Sequence, residues 1–141
     1  MEPLNLESLP RNALLLIVSA PIIYMLEGRA KLSDRFRPLF AAHAEGGLRF
    51  AVTTITVAEV MTGPLQAGNE ELAQRYRAVL QSWQVVDLNL QIAETAARLR
   101  ATLRLKLPDA VQAASAVAIN ADALVTHDRD FSRLSSLRVI S

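Results

Sequence analysis

The sequence predicts an α/β fold, a three-layer sandwich around a central, mostly parallel sheet of 4–5 strands, and three observations predict it. Leu14 to Ser19 is a continuous apolar run of strand length, the mark of a central strand covered on both faces. Strand-like and helical patterns then alternate as far as Ile140, which implies parallel strands joined by crossover helices. Carboxylates recur at helix starts, as Glu59 in TITVAEV, Asp109 in KLPDAV, and Asp128 with Asp130 in LVTHDRDF.

The elements follow in order. Met1 to Asn12, polar with two prolines, reads as an N-terminal extension to a single domain over residues 13–141. After the first strand, Ala20 and Pro21 open a helix, because proline at the first helical position gives up an N–H that has no helical partner anyway. A second helix covers about 31–44 and stops at Gly46-Gly47, and Phe50 to Thr54 is the second strand. Thr56 reads as the N-cap of a helix that runs to the Gly63-Pro64 break. Residues 69–82 carry Leu72, Tyr76 and Leu80 at helical spacing, ahead of a short strand at Gln84 to Asp87.

Over 90–105, Ile92, Ala96, Leu99 and Leu103 form one stripe, with Glu94 and Arg98 paired four apart on the wet side. Pro108 starts a helix whose Ala113, Ala114, Ala116 and Ala118 suit close approach to a neighbour. Ala123 to Thr126 is a strand, Asp128 to Leu134 a short helix, and Leu137 to Ile140 a last edge strand. Ligands of such sheets bind outside the carboxyl ends of the strands, and here the first, second and penultimate strands end around one crevice.

Composition narrows the chemistry. The 141 residues, 51% of them hydrophobic, suffice for one core and are too few for two ordinary domains. The absence of cysteine excludes disulfides, thiolate nucleophiles and sulfur-bound zinc, and a reducing cytoplasm is the expected compartment. No Ser or Cys motif accompanies His43 or His127, so a histidine relay is not expected, and His43 reads as a helix-surface residue. Fifteen basic and fourteen acidic residues leave a net charge of +1, which argues against wholesale nucleic-acid coating and permits a local basic patch. The apolar run from Ala13 to Leu26 is interrupted by Pro21 and is shorter than the roughly 20 residues a membrane span needs, so no membrane is expected as a partner.

Each acid has a structural reading of its own. Glu59 stands three residues after Thr56, the spacing of a capping box. Asp109 is a first-turn acid stabilised by the helix dipole, Asp128 an N-cap, and Asp130 another first-turn acid. Taken together they converge on one end of one sheet. Clustered carboxylates repel one another, and a hard cation such as Mg²⁺ or Mn²⁺ relieves the repulsion while suiting phosphoryl chemistry.

The stretches LLLIVSAPIIYMLEG, TTITVAEVMTG, LRATLRLKLPDAVQAASAVAINADALVTHDRDF and LRVIS resemble a PIN domain, most closely the VapC-like toxin ribonucleases of type II toxin–antitoxin systems. The resemblance implies a metal-dependent endoribonuclease that is a homodimer and is restrained by a small antitoxin inserted into its groove. It maps catalytic and metal-binding roles onto Glu59, Asp109 and Asp128, with Asp130 as accessory ligand, and lines the site with the hydroxyls of Ser19 and Thr126. The family's first acid falls on Val18, which is the departure from the pattern.

A valine cannot ligate metal, yet it suits a strand, so the fold is expected to be untouched while metal binding and activity are reduced or lost. A natural loss of activity, an inactivating change and a site shifted onto Asp130 all fit the sequence. Arg98, Arg100, Arg104 and Lys106 lead to Asp109, and Arg129 and Arg133 flank the last acid, Asp130. They read either as an RNA path, with Arg104 and Lys106 as substrate-binding residues, or as a solvated helix face. Trp83, Tyr24, Tyr76 and the phenylalanines form no stacking stripe and read as core or interface. The rivals to a ribonuclease are a silent PIN module that dimerises and binds an antitoxin or RNA, and a domain whose acids are only caps.

Overall fold

The computed structural model describes residues 3–128, 131 and 134–141. The chain begins with strand β1 (Ala13–Ile17), helices α1 (Ser19–Glu27) and α2 (Ala30–Ala44), strand β2 (Leu48–Thr53), and helices α3 (Thr54–Gln66) and α4 (Glu70–Gln81). It continues through strand β3 (Gln84–Val86), helices α5 (Leu90–Leu103) and α6 (Leu107–Ala118), and strands β4 (Ala123–Val125) and β5 (Val139–Ile140). The five strands make one sheet in the order β3-β2-β1-β4-β5, with every pairing parallel.

The apolar run of β1 has two covered faces because its residues alternate between two cores. Ala13, Leu15 and Ile17 join Ile22, Phe36, Leu39, Val60 and Leu80 from α1 to α4. Leu14, Leu16 and Val18 join Ile92, Ala96, Val111 and Ala114 from α5 and α6. A strand sealed on both sides in this way has no wet face to supply polar positions, hence LLLIV rather than an alternating pattern. Ala110, Ala113, Ala114 and Ala116 of α6 are buried and let that helix lie close to the sheet, whereas Ala118 is exposed.

Several boundaries differ from the sequence reading, and two of the differences, at the start and end of α3, have a local reason. Helix α3 starts one turn early, with Thr53 as N-cap accepting from the Thr56 N–H at 3.2 Å, because β2 pairs with β3 as far as Thr53↔Val86 and the chain turns directly there. The same helix runs through Pro64 to Gln66, since a proline in the last turn forfeits a single helical bond. Helix α1 starts at Ser19 with Val18 as its N-cap. The Glu94–Arg98 pair forms as expected, at 3.5 Å on the exposed face of α5.

The segment before β1 is anchored rather than loose: Leu4 is buried and its N–H donates to the Arg35 carbonyl at 2.9 Å. At the start of β1, Asp122 accepts from the Leu14 N–H at 2.8 Å and donates its own N–H to the Leu14 carbonyl at 2.7 Å, clamping β1 to the start of β4. His43 lies on α2 as expected and is half-buried. Its ring stacks on Phe50 with centroids 4.1 Å apart and meets Trp83 edge-on, and burial pushes its pKa below the usual histidine value. Most of the helix expected over Asp128 to Leu134 falls outside the described residues, although Phe131 is seen to be buried. Among the described residues no helix is long and apolar enough to cross a membrane.

Candidate functional site

In the order β3-β2-β1-β4-β5 the chain winds outward from β1 on one side and then returns to β4 on the other. The connections leaving β1 and β4 therefore diverge, and divergence at adjacent strand ends opens a crevice. A cleft of about 560 Å³ lies there, and Val18, Ser19, Glu59, Asp109, Thr126 and Asp128 all line it. These residues are separated by up to 110 positions and come from four segments.

Each acid reaches the cleft by a different local device. Glu59 lies beyond the first turn of α3 once Thr53 is the cap, so no capping box claims it; its carboxylate instead accepts from the Ser19 hydroxyl at 2.8 Å. Asp109 is in the first turn of α6, behind Pro108, where the helix dipole favours its charge. Asp128 is presented by a tight turn in which its N–H donates to the buried Thr126 hydroxyl at 2.9 Å. Thr126 thus shapes the turn as well as lining the cleft. Asp130 lies outside the described residues.

The donor set is oxygen-rich and free of sulfur, which fits a hard divalent cation. Among the described residues, no three His, Asp or Glu side chains are close enough together to hold a metal ion. The acids share a cleft without forming a closed cage.

Val18 is buried at the position the resemblance assigns to an acid, and it lines the cleft. As N-cap of α1 it offers no side-chain acceptor to the first-turn N–H groups; its own N–H donates to the Val125 carbonyl at 3.0 Å. Arg104 and Lys106 do not line the cleft. Arg104 ends α5 in the left-handed conformation (φ 57°), and Lys106 is the N-cap of α6, so both belong to the connection that delivers Asp109.

Sequence reasoning missed the part that Tyr24, His127 and Gln112 play in lining the cleft. Tyr24 and His127 both line it, with the Tyr24 hydroxyl 3.1 Å from His127 Nδ1. Gln112, 3% exposed on α6, accepts from the Thr53 hydroxyl at 3.0 Å and donates to Thr56 Oγ1 at 2.8 Å, while Thr56 Oγ1 lies 3.1 Å from Ser19 Oγ. A glutamine within an alanine-rich helix, one turn after Asp109, was the only local signal available for this group.

The comparisons agree with this architecture. The family profile of the PIN domain matches residues 16–137. No curated protein matches the chain. A solved toxin–antitoxin complex from Klebsiella pneumoniae contains a chain with 26% identity and a TM-score of 0.72, the match covering 90% of this chain and 96% of that one. VapBC2 from Rickettsia felis, bound to a DNA fragment from its promoter, matches at 20% identity and a TM-score of 0.70 over 89% and 96% of the two chains. VapC20 from Mycobacterium tuberculosis, described as a sarcin–ricin loop cleaving toxin, matches at 15% identity and a TM-score of 0.69 over 90% and 99%. The last two similarities speak for the fold alone. With the profile spanning most of the chain and the parallel sheet in place, the protein belongs to the PIN-domain family.

Proposed function

We propose that this chain is a divalent-metal-dependent endoribonuclease scaffold of the VapC-like toxin type, acting on RNA phosphodiesters, with activity reduced or lost through Val18. The observation that carries the reading is the convergence of Glu59, Asp109 and Asp128 on one cleft at the carboxyl end of a parallel sheet. Because the three carboxylates share the cleft without closing around one point, Mg²⁺ or Mn²⁺ would be held by them through direct and water-mediated contacts, with Asp130 in support, and would supply polarisation of a phosphate oxygen and a lowered pKa for an attacking water.

The protein's own groups do the rest. Ser19 fixes the Glu59 carboxylate through its hydroxyl, and Thr126 sets the turn that carries Asp128. Arg104 and Lys106, on the connection that leads into Asp109, draw the RNA backbone toward it by neutralising phosphates. The M. tuberculosis neighbour is described as cleaving the sarcin–ricin loop, and toxin–antitoxin complexes recur among the similar structures. The recurring toxin–antitoxin complexes support a small antitoxin as partner; an RNA substrate, a homodimer and action in the cytoplasm are proposed with it from the family resemblance.

A specific observation favours a second reading. The buried Val18 puts an apolar side chain into the cleft where the family pattern calls for an acid, which suits a silent module that dimerises and binds antitoxin or RNA. Cleavage of a mixed RNA pool with Mn²⁺ or Mg²⁺, by the parent chain beside Val18→Asp and Glu59→Gln, separates the two. Cutting by Val18→Asp alone identifies a ribonuclease silenced at one position. Cutting by the parent, abolished in Glu59→Gln, shows that the remaining acids suffice. No cutting by any of the three moves the binding module ahead and turns the question to what the groove holds.

A further inference from the structure

The groups behind Glu59 form a chain of hydrogen bonds whose direction can be worked out. Thr53, Thr56, Gln112 and Ser19 are each less than 10% exposed, and they come from the end of β2, from α3, from α6 and from the start of α1. A hydroxyl has one proton, so Ser19 can donate either to Glu59 Oε1 at 2.8 Å or to Thr56 Oγ1 at 3.1 Å, and not to both. The carboxylate is the stronger acceptor and the shorter contact, so the Ser19 proton goes to Glu59. Thr56 then donates to Ser19.

That order fixes the amide of Gln112. With Nε2 donating to Thr56 at 2.8 Å and Oε1 accepting from Thr53 at 3.0 Å, all three hydroxyl protons have an acceptor, while Thr53 Oγ1 still receives the Thr56 N–H at 3.2 Å. Rotating the amide by half a turn would have Gln112 donate to Thr53 and would strip the Thr53 proton of its acceptor. Buried groups left in that state are disfavoured. Every donor in the series therefore points the same way, from Thr53 through Gln112, Thr56 and Ser19 to Glu59.

We propose that Gln112 is a positioning residue of this site: it orders the Thr56 and Ser19 hydroxyls so that Glu59 is presented to the cleft in one fixed orientation, as an acceptor. The assignment deepens the ribonuclease reading and rests on it for its purpose, though the hydrogen-bond order stands on the geometry alone. Gln112 does not touch the reacting atoms in this scheme and acts only through Thr56 and Ser19. Removing partners of this kind behind a metal-ligating carboxylate commonly weakens metal binding 10- to 100-fold.

The test uses the full chain with the Glu59 carboxyl carbon labelled with ¹³C, and needs neither metal nor RNA. Ser19→Ala shifts the Glu59 carboxyl signal, Gln112→Met shifts it in the same direction, and the double variant shifts it no further than Ser19→Ala alone, because both act through one bond. A Gln112→Met signal identical to the parent's, or a double variant showing the sum of the two shifts, overturns the proposal. Should Gln112→Met fail to fold, Thr56→Val and Thr56→Ser decide instead. The valine breaks the chain and moves the signal, whereas the serine keeps a hydroxyl and restores it; equal behaviour of the two overturns the proposal. Mn²⁺ titration followed by EPR adds an expected loss of affinity of about tenfold or more in Gln112→Met. Coupled NMR shifts, with no RNA cutting by either the parent or Val18→Asp, leave the hydrogen-bond order standing and remove the ribonuclease reading. RNA cutting that persists with no coupling does the reverse.

Discussion

The Tyr24 hydroxyl and His127 Nδ1 lie 3.1 Å apart, and this contact ties α1 to the turn that follows β4 across the mouth of the cleft. The rings also pack edge to face with centroids 5.6 Å apart. Tyr24→Phe keeps the ring packing and removes the hydrogen bond, so it is expected to cost about 0.5–1.5 kcal/mol in urea denaturation. A cost near zero would show that water replaces the bond without loss.

Val18→Asp sets two opposed effects against each other. An aspartate at the N-cap of α1 supplies the missing acceptor, worth about 0.5–2 kcal/mol. The buried valine it replaces contributes about 1.5–3 kcal/mol of apolar burial. The metal-free variant is therefore expected to be less stable than the parent by about 1 kcal/mol. Saturating Mn²⁺ raises its melting temperature more than it raises the parent's, because binding to the folded state alone stabilises that state. An equal response of the two proteins to Mn²⁺ would falsify a metal-ligating role for this position.

Arg104 carries a side chain in a backbone conformation that costs an L-residue about 1–2 kcal/mol. Arg104→Gly is expected to relieve about that amount, seen as a higher denaturation midpoint. In the RNA-path reading the same change lowers the slope of log affinity against log salt for single-stranded RNA by about 0.7, one phosphate contact's worth. An unchanged slope alongside higher stability would assign Arg104 to the helix end only.

His43 confers a pH dependence on stability. Burial lowers its folded-state pKa below the ordinary 6.5, so just below that pH the unfolded chain binds more protons than the folded one and stability rises with pH. The contribution is complete above the unfolded value and is lost as pH falls through the folded value. His43→Phe keeps the stack on Phe50 and should lose less stability than the parent between pH 7.5 and 5.5, two conditions chosen to bracket roughly the ordinary histidine value. Parallel losses in the two proteins would exclude His43 as the source.

Glu59→Gln and Ser19→Ala share one hydrogen bond, so their effects on Mn²⁺ affinity are expected to be coupled, with the double variant losing less than the product of the single losses. Asp122→Asn serves as the contrast: Asp122 clamps β1 to β4 away from the cleft, and its loss should lower stability with no change in Mn²⁺ binding.

The core of the fold was legible because its signals are local. LLLIV could only be a doubly covered strand, and the alanines of α6 announced a helix pressed against the sheet. Asp109 was legible as a helix-start residue, whereas Glu59 lies beyond the first turn of α3 and Asp128 in a turn after β4; the structure brings all three to one cleft. The cap of α3 was placed one turn late because Thr53 and Thr56 are equivalent as letters; the choice depends on how far β2 pairs with β3, a contact formed 33 residues along the chain. Tyr24 and His127 meet across 103 positions, and no window along the sequence contains both. Val18 was read as the end of a strand, where valine is comfortable, and lies at a helix cap, where it is not.

The series from Thr53 to Glu59 draws on four separate elements of the fold, and this shapes what genetics would see. A selection for chains that have lost the function of the cleft would not return the acids alone. Substitutions scattered through the interior of α6 and the end of β2 would disturb the orientation of Glu59 as surely as its own replacement, so the inactivating positions would trace the packing of the domain rather than outline its groove.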